Sequence, residues 1–88
     1  MNLSLRYLLH AASKFGNLEV VNSLIQAGED VNMQDEGGFT PLHYASELGN
    51  MEVITALLAT GADKTTKSNS GRTPHDVARN QDCKNALE

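Results

Sequence analysis

The chain reads as an all-α solenoid, in which antiparallel helix pairs stack side by side and β-hairpin-like loops join one pair to the next. Three observations predict this. The sequence repeats itself at an interval of 33 residues. Each unit carries helix-start and helix-stop residues at fixed places. The apolar residues between them recur at i, i+3, i+4, the spacing of a helix face.

Shifted by 33, Leu9-His10 falls on Leu42-His43, Ala12 on Ala45, Gly16-Asn17 on Gly49-Asn50 and Glu19-Val20 on Glu52-Val53. Leu24-Ile25 falls on Leu57-Leu58, Gly28 on Gly61 and Asp30 on Asp63. A second shift places Gly38, Thr40, Pro41 and Ala45 on Gly71, Thr73, Pro74 and Ala78. Residues 1–88 are read as one domain, with units of about 4–34, 35–67 and 68–88.

The middle unit justifies each element in turn. Gly38 ends a polar run and suits a turn. Thr40 is a natural N-cap, and Pro41 takes the first helical position, where a missing N–H costs nothing. Leu42, Ala45 and Ser46 then form a small-residue face, and Gly49 stops the helix. A second helix begins near Met51, carries Val53, Ile54, Leu57 and Leu58 as its apolar stripe, and is closed by Gly61.

The stretch "GGFTPLHYASELGNMEVITALLATGADK" resembles an ankyrin repeat, whose unit has this length and carries T-P-L-H-x-A. The resemblance covers nearly the whole chain and implies binding of another protein, while the single cysteine, Cys83, fits a reducing, intracellular setting, cytoplasmic or nuclear. The outer units depart from the pattern. The first has Tyr7-Leu8 where Thr-Pro would stand and no hairpin of its own. The third reads "TPHDVA", which puts His75 in the Leu slot, Asp76 in the His slot, and, at constant spacing, Asp82 where Gly would end the first helix. Terminal repeats cap a stack and are expected to differ.

Three histidines, His10, His43 and His75, invite a metal or catalytic reading. Equivalent positions in packed neighbouring helices lie about 8 to 10 Å apart, whereas zinc holds each ligand at about 2 Å. His10 and His43 therefore do not share a metal. The ankyrin resemblance implies instead that the T-P-L-H histidine bonds backbone near the hairpin and ties units together, a structural role for His43 and His10. His43 and Glu47, four apart, read as a helix-surface pair. "EGG" at 36–38 reads as a hairpin turn and not as a phosphate loop. No activated nucleophile or carboxylate pair is recognisable, so neither catalysis nor a cofactor is expected.

Seven basic residues against eleven acidic ones give a net charge of −4. Nucleic-acid binding normally needs a basic stripe, and none is present. No window approaches a membrane span, and the start "MNLSLRYLLHAAS" is broken by Arg6 and His10, unlike a signal peptide. The single cysteine, Cys83, excludes an internal disulfide and fits a small apolar residue in the last unit. Asn2-Leu3-Ser4 matches a glycosylation sequon that is idle inside a cell.

Mapped from the family, partner contacts fall on Gln34, Glu36, Gly37 and Phe39 in the first hairpin and on Lys67, Asn69, Ser70 and Arg72 in the second. Lys14, Phe15, Glu47 and Leu48 follow on the helices, with Asn80 and Gln81 in the last unit. Phe15, Phe39 and Leu48 are large apolar residues at positions that need not be buried; each is either a contact or ordinary packing. Asn32, after "LIQAGEDV", resembles the sites where an asparaginyl hydroxylase modifies ankyrin repeats; it either accepts that modification or merely shapes the hairpin. The expected function is non-enzymatic binding of another protein, by a monomer, through hairpin tips and concave groove. The rival reading is a structural fragment or engineered piece of a larger array.

Overall fold

The computed structural model describes residues 7–88. The start assigned to the first unit, at residue 4, and the Asn2-Leu3-Ser4 sequon lie outside them. Within the described residues are six helices and no strand: α1 (Leu8–Phe15), α2 (Leu18–Gln26), α3 (Pro41–Leu48), α4 (Met51–Ala59), α5 (Pro74–Val77) and α6 (Gln81–Ala86).

The residues that start and stop the helices act as their chemistry dictates. Thr40 Oγ1 accepts from His43 N at 3.3 Å while His43 Nδ1 accepts from Thr40 N at 3.0 Å, a reciprocal cap with Pro41 at the first helical position. Thr73 and Asp76 repeat that cap in front of α5, with the Asp76 carboxylate in the imidazole's place. Gly49 closes α3 at φ +75°, a left-handed conformation that a residue with a side chain adopts only at a cost. Two residues then suffice to turn the chain back into α4.

The helix pairs stack into a body 37 × 26 × 20 Å along its principal axes. First helices pack on first helices, and second on second. Ala12, Ala45 and Ala78 recur every 33 residues and are all buried, which lets the first helices approach closely. Leu9, Leu42, Val21, Val53, Ile54 and Leu57 fill the space between the layers.

The last unit corrects the reading made at constant spacing. Asp82 does not end a first helix: α5 stops at Val77, Ala78 is extended (φ −58°, ψ 134°), and Asp82 lies in the first turn of α6. Three residues are missing after Ala78, so the matching interval drops from 33 to 30. Asn80, Cys83 and Leu87 then occupy the places of Asn50, Val53 and Leu57. Asn80 accordingly caps α6, accepting from Cys83 N at 2.9 Å. Cys83 is a free thiol with no exposed surface, packed in the core. His75 is half-buried.

Candidate functional site

The candidate site is the edge formed by the two hairpins together with the helix faces beside them. Each hairpin is a tight backbone turn. Asp35 N donates to Phe39 O at 2.9 Å and Gly38 N to Asp35 O at 2.9 Å; one unit later Ser68 N donates to Arg72 O and Gly71 N to Ser68 O, both at 2.8 Å. Asp35 Oδ1 fixes the first turn by accepting from Gly37 N and Phe39 N. Its Oδ2 accepts from the Tyr44 hydroxyl.

The Asp35–Tyr44 pair shapes the electrostatics here. Burial works against the Asp35 carboxylate, but the hydrogen bonds from Tyr44, Phe39 and Gly37 together outweigh it and hold its pKa below the usual value. Tyr44, desolvated and bonded to that carboxylate, is pushed up to about 12. Asp35 is therefore the charged partner and Tyr44 the neutral donor.

The histidines are ties between units. His43 Nδ1 accepts from Thr40 N, so the ring's proton sits on Nε2, which donates to Arg72 O at 2.8 Å. His10 does the same one unit earlier, with Nε2 shared between Met33 O at 2.9 Å and Phe39 O at 3.0 Å. His10 is 5% exposed, its Nδ1 has no hydrogen-bond partner among the described residues, and Tyr7 and Tyr44 stand edge-on to its ring. Burial lowers its pKa against the opposing pull of the Phe39 carbonyl and Asp35. Both His43 nitrogens are committed to protein groups, and the free lone pair of His10 is enclosed. No three His, Cys, Asp or Glu side chains converge among the described residues in a metal-binding arrangement.

Further bonds hold the hairpins to one another. Asn69 N donates to Gly37 O at 2.9 Å, Asn69 Nδ2 to Glu36 O at 2.8 Å and Gln34 Nε2 to Lys67 O at 3.2 Å. Gly38, at φ +81°, lies so close that a Cβ there would meet Asn69 N at 2.6 Å. Gln34 and Asn69, mapped as partner contacts, thus spend their amides inside the protein although both are exposed.

The other mapped residues separate into distinct places. Lys14, Glu36, Glu47, Lys67 and Arg72 are exposed. Phe39 is half-buried, its ring edge-on to His43 at 5.6 Å and tilted on Tyr44 at 5.8 Å. Leu48 is half-buried. Phe15 is 79% exposed. It lies two residues, about 200° of helix, beyond the buried Ser13, and so on the side of α1 turned from α3. Asn32 bridges the two inter-unit loops, donating to Gly61 O at 3.2 Å and accepting from Asp63 N at 2.7 Å. Gly61 ends the turn after α4 and is exposed.

Reading the sequence alone assigned no task to Asn50, Asp35 or Tyr44. Asn50 Nδ2 donates to Ser13 O at 2.9 Å and Lys14 O at 3.1 Å, closing the end of the preceding unit's helix. The recurrence of Gly-Asn at 16–17 and 49–50 was its signal. Asp35 and Tyr44, nine residues apart across a turn and a cap, had none.

The family model for ankyrin repeats (3 copies) matches residues 8–88. No curated protein matches the chain. No described helix is long and apolar enough to cross a membrane. The match spans nearly every described residue, and the histidine bonds from His10 to Phe39 O and from His43 to Arg72 O recur with the period of its repeats, so the chain belongs to the ankyrin repeat family, whose repeats generally serve as protein–protein interaction modules.

Proposed function

We propose that this chain is a non-enzymatic docking module that binds another protein across its hairpin tips and the groove-facing side of α1 and α3. Lys14, Glu36, Glu47, Lys67 and Arg72 supply charged contacts. The outer face of Phe39, Leu48 and the hydrogen-bonding edges of Gln34 and Asn69 supply the rest, with Phe15 at the open edge.

The observation that carries this reading is the lock between the tips. Asn69 bonds both Gly37 O and Glu36 O, so the exposed charges beside it stand on a pre-ordered edge. Ordering a loop on binding costs about 0.5 to 1.5 kcal/mol per immobilised side chain, and a tip already fixed avoids much of that. The lock is also why the side chains of Lys67 and Arg72 are the useful probes. Both are exposed, and only their main-chain oxygens take part in the ties.

The test is affinity capture from cell lysate read by mass spectrometry, with the wild type and a Lys67→Ala/Arg72→Ala variant of unchanged melting temperature. A protein retained by the wild type and lost by the variant supports the hairpin edge. Equal retention by both places binding elsewhere and refutes it.

A further inference from the structure

Behind the hairpins, α2 and α4 run side by side and leave a trough between them. Its volume is ≈ 420 Å³, within the range of about 300 to 1,000 Å³ typical of binding clefts. Leu18, Met51, Ala56 and Ala59 give it an apolar floor, with Asn22, Thr55 and Glu52 at its sides. Met51 is 36% exposed, and Glu52, Thr55 and Ala59 are exposed with it. The trough exists because of residue size. On the groove side Ala12, Ala45 and Ala78 draw the first helices together, whereas small residues at 55, 56 and 59 on α4 leave nothing large enough to fill the space against α2.

Charge is divided between the two sides of the protein. Segments 18–33 and 51–66, which hold α2, α4 and the loops after them, carry five acids (Glu19, Glu29, Asp30, Glu52 and Asp63) and one base, Lys64. Lys64 bonds Glu88 O and does not line the trough. The remaining described segments before α6, which form the hairpin side, balance four bases with four acids. The negative field of the protein is thus concentrated on its back. A second copy of the chain would bring like charge, and anionic lipid or nucleic acid would be repelled.

We infer that the α2–α4 trough is a second docking surface, which takes a basic amphipathic helix from a partner protein. Each of the two helices is nine residues long, about 13 Å at 1.5 Å per residue. That length holds roughly two turns of a third helix, with apolar anchors at i, i+3 or i+4, and i+7. The anchors rest on Leu18, Met51 and Ala56. Lysines or arginines flanking them meet Glu19 and Glu52 at one end and Glu29, Asp30 and Asp63 at the other. The surface is separate from the hairpin edge, and either can fail without the other.

The test uses a synthetic amphipathic lysine–leucine peptide as the probe, titrated into the ¹⁵N-labelled chain. Dissociation constants come from fluorescence anisotropy of the labelled peptide. The expected result is saturable binding with amide shifts centred on Leu18, Asn22, Met51, Thr55 and Ala59, weakening as salt rises. A Glu52→Lys/Thr55→Arg variant, changed only at exposed positions, should weaken it at least tenfold. Lys67→Ala/Arg72→Ala should leave it unchanged. Absence of binding, shifts at the hairpins, or equal affinity for a lysine–serine control peptide would each overturn the inference. So would sedimentation showing a dimer that Thr55→Arg abolishes, because the occupant would then be a second copy.

Discussion

Replacing His43 by alanine should cost markedly more stability than replacing His10, although the two residues hold equivalent places. His43 is 1% exposed and makes three contacts: Nδ1 accepts from Thr40 N and faces Thr40 Oγ1 at 2.8 Å, and Nε2 donates to Arg72 O. Its removal leaves Thr40 N without a partner in a residue itself 1% exposed, a penalty of about 1 to 3 kcal/mol. The cavity left by the ring and the lost tie to Arg72 O add about 2 kcal/mol more. The total, roughly 3 to 5 kcal/mol, is a large share of the roughly 4 to 13 kcal/mol expected of a domain this size. His10→Ala loses the bonds to Met33 O and Phe39 O, but it also deletes an enclosed nitrogen that has no partner among the described residues. Its cost should be smaller by about 1 to 2 kcal/mol, which is about 4 to 16 °C in melting temperature. Urea denaturation followed by circular dichroism measures both variants. Equal losses, or a larger loss for His10→Ala, would refute the reasoning that an intact threonine–histidine cap is worth more than the tie alone.

Ser13 and Ser46 are a second matched pair, both fully buried: Ser46 Oγ donates to Leu42 O at 2.6 Å, while Ser13 Oγ has no partner among the described residues. Ser13→Ala should therefore stabilise by about 1 kcal/mol and Ser46→Ala should be neutral or destabilise by up to about 1 kcal/mol, read from thermal melts. Gly38→Ala should cost about 2 kcal/mol or more in urea denaturation, since a positive φ and a clash with Asn69 N combine; Gly61→Ala, at φ +96° with nothing within 4 Å, should cost about 1 kcal/mol. The pH dependence follows from the groups around His10, namely Asp35, Tyr44, Tyr7 and Lys14. His10 has its folded pKa lowered from 6.5, so its contribution is present above 6.5 and is lost as pH falls through the lower folded value. Tyr44, raised from 10.0 to about 12, contributes below 10 and loses that contribution between 10 and about 12. Melting temperature against pH should fall in both windows, and the acid fall should shrink in His10→Gln.

The architecture was legible because helix capping is local chemistry. Thr40, Pro41 and Gly49 each act through their own backbone or a neighbour three residues away, and such residues announce themselves in sequence. Bonds that reach further along the chain were legible only where they recur. His10 and His43 repeat their contacts 33 residues apart, whereas Asp35–Tyr44 occurs once and leaves no pattern. The candidate contacts were the least readable part. Exposure depends on whether another element covers that side of a helix, so Phe15 and Leu48 share a repeat position yet differ in burial. Gln34 and Asn69 look like free polar tips in sequence, because nothing there tells that the two hairpins lie within bonding distance.

The shortened last unit shows why the stack tolerates what looks like damage. The three missing residues fall where the middle unit has the last turn of α3 and its cap, and Ala78 and Asn80 join α5 to α6 in extended conformations, so the loss is absorbed outside α6. Cys83 and Leu87 are buried in the core as Val53 and Leu57 are. The tie between units also changes at the end of α3, where Ser46 O accepts from Gly49 N at 3.2 Å and takes a second donor from the last unit. In the middle unit the Asn50 side chain supplies that donor to Ser13 O; in the last unit Arg79 N reaches Ser46 O at 2.9 Å directly. The stem of Arg79 lies over Gly49, 3.2 Å from the place of an added Cβ. Shortening thus exchanges a side-chain amide for a backbone amide at the same carbonyl. The unit keeps its packing face and its tie, and what it gives up is most of a first helix, now only Pro74–Val77.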